Sequence, residues 1–163
     1  MIQKKICMLG ATGVGKTSLV RQFVQSIFSD KYHSTIGVKI DKKVVAVDES
    51  EVMMMLWDVQ GEDKEFKVSS SFLKGASGFL LVVDLTRPET LDTANSILKM
   101  VEEEVGELQY LVLFNKNDLN KEKNIGEDQM FEISGSNKNM LLTSAKTGEM
   151  VEEAFVRLAR RMI

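Results

Sequence analysis

The chain has 163 residues, 44% of them hydrophobic and 28% charged, with a formal net charge of −3. These figures describe one globular domain spanning residues 1–163, long enough to bury roughly 70% of its unfolded surface. The acidic balance argues against a nucleic-acid or anionic-membrane partner, which would need a basic face, and no apolar run is long enough for a transmembrane helix.

Ile2 to Leu9 reads as a strand. Residue 2 is Ile, which excludes myristoylation, and the glycine and threonine after the strand interrupt any signal-peptide core. The only cysteine, Cys7, lies inside that strand, so no internal disulfide can form, which fits a reducing cytoplasm. The only histidine, His33, is distant in sequence, and Cys7 therefore reads as a buried core residue rather than a nucleophile. Lys16 to Ile27 is expected to form a helix burying Leu19, Val20, Phe23, Val24 and Ile27. After polar Ser29 to Ser34, Val38 to Val47 and Val52 to Asp58 read as two strands joined by the turn Asp48-Glu49-Ser50. The run Met53-Met54-Met55 reads as strand packing.

Lys64 to Lys74 is expected to be a short helix. Phe79 to Leu85 is almost unbroken in its apolar character, the mark of a strand buried on both faces. The only proline, Pro88, precedes a helix that places Leu91, Ala94, Ile97, Leu98, Val101 and Val105 on one face. Tyr110 to Phe114 is another buried strand, Glu127 to Ser134 a helix, Met140 to Thr143 a last strand and Glu149 to Met162 a closing helix. The final "RLARRMI" has no cysteine to prenylate, so no lipid anchor is expected in this chain. Strands alternating with helices imply an α/β fold, a mostly parallel sheet with helices on both faces.

Between the first strand and the first helix lies "GATGVGKT", Gly10 to Thr17, which matches G-x-x-x-x-G-K-[ST]. Its glycines let the backbone turn N–H groups around phosphate oxygens at a helix N-terminus, so Gly13, Val14, Gly15, Lys16, Thr17 and Ser18 form the expected cradle. Lys16 would reach the β- and γ-phosphates, and the Thr17 hydroxyl would ligate Mg²⁺. Asn115-Lys116-Asn117-Asp118 follows a buried strand, at the edge where open sheets bind ligands. A carboxylate at Asp118 can accept from guanine N1–H and N2–H₂, and would be left unpaired against adenine. Ser144-Ala145-Lys146 follows the last strand; the Ala145 N–H would meet guanine O6, and Lys146 would lay its methylenes on the base.

These three loops, in this order and spacing over essentially the whole chain, resemble those of a Ras-superfamily small GTPase. "STIGVKI" and "LWD" look most like the Rab branch. The resemblance implies a P-loop NTPase G domain with a six-stranded, mostly parallel sheet. It implies that the Thr35 hydroxyl joins Mg²⁺ and that its N–H senses the γ-phosphate. It makes Phe28 the aromatic packed on the guanine, Tyr32 the cover over the phosphates, Asp58 the acid behind Mg²⁺ and Gly61 a γ-phosphate contact. Residues 30–40 and 59–72 become an effector surface ordered by GTP, with an exchange factor and a GTPase-activating protein as further partners.

Two positions depart from the family pattern. Asp58 to Gly61 is followed by Glu62 where the family has glutamine, which accepts from the attacking water and donates to the transition state. Ionised Glu62 can only accept, and beside the γ-phosphate it would repel. Gln60, two residues early, is expected to point elsewhere. Thr12, where Ras has glycine, would crowd an activating arginine. The expected function is a GTP/GDP switch with slow Mg²⁺-dependent hydrolysis; the alternative is a GTP-binding scaffold with little or no hydrolysis. A nucleoside kinase or ATPase would share "GATGVGKT" but leaves "NKND" unexplained.

Overall fold

The computed structural model describes residues 1–32 and 34–163, so His33 lies outside the described residues. In chain order the elements are β1 (Ile2–Gly10), α1 (Lys16–Gln25), β2 (Val38–Val47), β3 (Ser50–Val59) and β4 (Gly78–Asp84), then α2 (Glu89–Glu104), β5 (Gln109–Asn115), α3 (Glu127–Ser134), β6 (Met140–Leu142) and α4 (Val151–Met162). The strands form one six-stranded sheet in the order β2-β3-β1-β4-β5-β6. Only β2 runs antiparallel, against β3, to which it is joined by the tight turn at Asp48 and Glu49. Among the described residues no helix is long and apolar enough to cross a membrane.

Side chains of a strand alternate between faces, and here each face has its own core. Ile6, Met8, Leu80, Val82, Leu111 and Leu113 point to one side, where α1 and α4 cover them. Phe23 of α1 and Phe155 of α4 stack there with ring centroids 4.1 Å apart. Cys7, Leu9, Phe79, Leu81, Val83, Val112 and Phe114 point to the other side, under α2 and α3. Two covered faces explain why β4 is buried at every position and apolar up to Val83, with Asp84 the one charge at its end. Since β1, β4, β5 and β6 are parallel, the loops that follow them meet at one edge of the sheet.

Three expectations change. Val105, expected on the buried face of the helix after Pro88, lies past the end of α2 and is exposed. Helix α1 stops at Gln25, because Ser26 takes a left-handed φ of 55° and its N–H donates to Gln22 O at 3.0 Å; Ile27 lies beyond the helix and is exposed. The helix expected over Lys64 to Lys74 is reduced to a single 3₁₀ turn at Ser70–Leu73. Asp63 Oδ1 accepts from the N–H groups of Glu65 and Phe66, both at 2.9 Å, as a helix cap would. Two amides that would have to bond carbonyls four residues back go to side chains instead: Val68 N–H to Glu62 Oε1 at 3.0 Å and Ser71 N–H to Ser69 Oγ at 3.2 Å.

Candidate functional site

The turn from β1 into α1 holds its carbonyls outward. Lys16 is 5% exposed; it runs back under the loop and donates to Gly10 O at 3.3 Å and Ala11 O at 3.0 Å. Lys116 Nζ donates to Gly13 O at 3.1 Å, and Asn115 Nδ2 to Val14 O at 3.0 Å. In a trans peptide the N–H points opposite to the C=O, so these ties turn the Val14 and Gly15 N–H groups to the concave side. Gly15 has a φ of 106°, and a Cβ there would stand 2.3 Å from Asn115 Nδ2, so the turn demands glycine. Burial lowers the Lys16 ammonium to about 8; the Asp58 charge opposes that shift and the Arg87 charge adds to it.

A cavity of about 390 Å³ opens beside this loop, the size of a small-molecule site. It is lined by Gly13, Gly15, Lys16, Thr17 and Ser18 below, and by Phe28, Tyr32, Thr35 and Gly61 on one side. Asn115, Lys116, Asp118, Ala145 and Lys146 close the other. Of the remaining sequence-predicted residues, Val14, Asp58, Glu62 and Ser144 are buried behind this lining.

At the second end, Asn115 fixes three loops with one side chain. Besides gripping Val14, its Oδ1 accepts from Thr143 Oγ1 at 3.1 Å and from the Ala145 N–H at 3.3 Å. The Ala145 amide, expected to face a base, is thus engaged by Asn115. Lys116 is left-handed with a φ of 70°, a strained state held because the Asn117 N–H donates to Thr143 O and the Leu119 N–H to Lys116 O, each at 3.0 Å. Asp118 Oδ1 accepts from the Ser144 hydroxyl at 2.7 Å, while its other oxygen has no hydrogen-bond donor among the described residues.

Asp58 lies 1% exposed at the end of β3, and its Oδ1 has no partner among the described residues. Thr17 Oγ1 donates to Asp58 Oδ2 at 2.5 Å and stands 2.7 Å from Thr35 Oγ1. Burial pushes the Asp58 carboxyl above the ordinary range, against the Thr17 hydroxyl and the Lys16 charge. Two hydroxyls and an under-satisfied carboxylate are hard oxygen donors of the kind Mg²⁺ takes, and a site with one carboxylate suits an ion that keeps waters and binds phosphate. Among the described residues no group of three or more His, Cys, Asp or Glu is gathered.

The structure places Glu62 differently from the sequence reading. Its backbone is paired with the phosphate loop: the Glu62 N–H donates to Gly10 O at 3.0 Å and the Thr12 N–H to Glu62 O at 3.1 Å. Its carboxylate turns away from the cavity, accepting from the Val68 N–H and lying 3.8 Å from Lys67 Nζ. Thr12 packs against the same segment, with Oγ1 3.1 Å from Gly61 O and 3.3 Å from Asp63 Oδ2. A Cβ on Gly61 would stand 2.5 Å from Thr12 Cα, so this contact also demands glycine. Gln60, expected to point elsewhere, lines the cavity instead: its Oε1 accepts from the Gly37 N–H at 2.9 Å, and its own N–H donates to Gly37 O at 2.7 Å.

Sequence reasoning missed Asp84 and Arg87 altogether. Asp84, at the end of β4, is fully buried and pairs with Lys116 Nζ at 2.8 Å and Arg87 Nε at 3.1 Å. Burial raises its carboxyl, but Lys116 and the hydroxyl and amide of Thr86 together hold it below the ordinary value. The available signal was position, since "DLTR" follows a buried strand at the ligand edge of the sheet.

Residues 5–163 match the profile of the Ras family. The chain is 34% identical over 161 residues to Ras-related protein Rab-4A of Danio rerio, a match covering 98% of this chain and 76% of that protein. Rab-4A of Homo sapiens is also 34% identical, with 98% and 74% covered. Rab-8B of Homo sapiens is 29% identical over 158 residues, with 96% and 76% covered. A phosphate loop on β1, a strained N-K-x-D turn on β5 and a matched family profile lead to one conclusion: the chain belongs to the Ras family and is a Rab-like small GTP-binding switch protein.

Proposed function

We propose that the cavity holds GTP or GDP with Mg²⁺, that the two nucleotides select two arrangements of residues 34–37 and 60–68, and that unaided hydrolysis is slow. The loop amides and Lys16 hold the β- and γ-phosphates; the free oxygen of Asp118 accepts from guanine, with Phe28 and Lys146 against the base. Mg²⁺ held by Thr17 and Thr35, with Asp58 behind them, supplies positive charge to the terminal phosphates. Thr35 couples that charge to its own segment, and Gln60 carries the arrangement across to Gly37. Effectors, an exchange factor and an activating protein would read residues 30–40 and 59–72, where Ile36 and Ile40 are exposed. A reducing cytoplasm suits the single buried thiol of Cys7.

The observation that carries slow hydrolysis is the fold-back of Glu62 onto Val68. The attacking water needs an acceptor, and the transition state a donor, at the place where residue 62 would reach. The Glu62 carboxylate offers neither from its present position, so the chemistry proceeds on phosphate positioning alone. Glutamine at 62 keeps the oxygen that receives the Val68 N–H, so Glu62→Gln is expected to change single-turnover GTP hydrolysis by less than about fivefold. A tenfold or greater acceleration would show instead that the carboxylate stands at the phosphate and repels it. The same latch favours a second reading, a GTP-loaded scaffold; complete absence of turnover in the wild-type protein would select it.

A further inference from the structure

Five consecutive carbonyls of the phosphate loop, from Gly10 to Val14, each accept a hydrogen bond from a side chain. Lys16 takes those of Gly10 and Ala11, Lys116 that of Gly13 and Asn115 that of Val14. The fifth, Thr12 O, accepts from Arg87 Nη2 at 2.7 Å, the shortest of the set. Lys16, Lys116 and Asn115 belong to the nucleotide-binding loops themselves; Arg87 belongs to none of them.

The arginine is held for this task. Its Nε donates to Asp84 Oδ2, the oxygen that also receives Lys116 Nζ, so one buried carboxylate secures the two cations that hold adjacent carbonyls. Asp84 is itself fixed, with Oδ1 accepting from the N–H of Thr86 at 2.8 Å and from its hydroxyl at 2.7 Å. Pulling the Thr12 carbonyl outward turns the Gly13 N–H inward, because the two are opposed in one planar peptide. Gly13 has a φ of 78°, and a Cβ there would stand 3.6 Å from Arg87 Nη2 and 3.8 Å from Tyr32 Cε2. The guanidinium therefore packs along the outer side of the loop at the residue whose amide it directs.

We infer that Arg87 is a positioning residue for the phosphate loop, directing the Gly13 N–H at the bound nucleotide through the Thr12 carbonyl. The inference rests on the guanine-nucleotide reading of the cavity. Losing one charge-assisted hydrogen bond should release the ligand about ten- to a hundredfold faster. The test uses the full chain loaded with mant-GDP, as wild type, Arg87→Lys and Arg87→Met, with the ³¹P spectrum of bound GDP and the melting temperature recorded beside release. Arg87→Met should release mant-GDP faster by that factor and displace the β-phosphorus resonance. Arg87→Lys keeps the charge but loses the two-armed grip, and should fall between. Release and resonance equal to wild type in Arg87→Met would overturn the inference, even with a lowered melting temperature. Faster release with an unmoved resonance would overturn it too, since the arginine would then stabilise the loop without aiming it. Failure of the wild type to hold mant-GDP would remove the nucleotide reading and the inference with it.

Discussion

The two walls of the cavity are built by different means. On the wall of residues 115–118 and 144–146, buried polar side chains tie backbone and side-chain groups together: Asn115 joins the Val14 carbonyl, the Thr143 hydroxyl and the Ala145 N–H, and Asp84 anchors Lys116. The wall that includes Tyr32, Thr35 and Ile36 is held by a hydroxyl pair and the Gln60–Gly37 exchange, and leaves Tyr32 61% and Ile36 88% exposed. Few buried contacts mean low local stability, which lets a segment respond to a single phosphate. Recognition of one base requires the opposite, a carboxylate already in place.

Asn115→Ala should break this comparison most severely. It strands the Val14 carbonyl, the Thr143 hydroxyl and the Ala145 amide together, and each buried group left unmade costs about 1–3 kcal/mol. Nucleotide affinity should fall at least about a hundredfold in a mant-GDP titration; an unchanged affinity would show that the loops hold one another without it. Asp118→Ala removes the carboxylate proposed to read the base and its bond from the Ser144 hydroxyl, and GTP affinity should drop about ten- to a hundredfold while that for ATP stays as it was. A competition assay reads both, and an equal loss for the two nucleotides would dissociate Asp118 from base choice.

A pH titration probes the loop between the walls. Lys16 is lowered from 10.5 to about 8 in the folded chain, so between these values the unfolded chain binds more protons. The nucleotide-free protein should therefore gain stability as pH rises through that window. Phosphate restores the charged ammonium, so GDP affinity should weaken about tenfold from pH 7 to 9, with proton uptake visible in calorimetry as a dependence on buffer ionisation. A flat profile would mean that Lys16 stays charged without its ligand. The smallest effect belongs to the exposed wall: Thr35→Ala should leave GDP affinity within about threefold, because its contacts are few and half-exposed. A loss as large as that from Asn115→Ala would erase the distinction between the walls.

Much of the stiff wall, and of the loop between the walls, was legible in the sequence, because their signals are local. Gly15, Lys16 and Thr17 sit in one short motif between a strand and a helix, and Asn115 to Asp118 directly follow an apolar run. What stayed hidden depends on contacts between segments far apart. Arg87 meets Thr12 across 75 positions, and nothing in "TRPET" announces that partner. The helix expected over residues 64–74 failed where Glu62 and Ser69 capture the Val68 and Ser71 amides, a competition that hydrophobic spacing does not register. The same capture reversed the direction of the Glu62 carboxylate. The Gln60 side chain found Gly37 because β2 and β3 bring the two segments together.

The most direct test of the division between a fixed wall and a responsive one is amide hydrogen exchange of the full chain, loaded with GDP and then with a non-hydrolysable GTP analogue, both with Mg²⁺. Protection should rise with the analogue at residues 34–37 and 60–68, and remain unchanged at residues 115–118 and 144–146. Equal changes on both walls, or none at residues 34–37 and 60–68, would contradict the division and the switch with it.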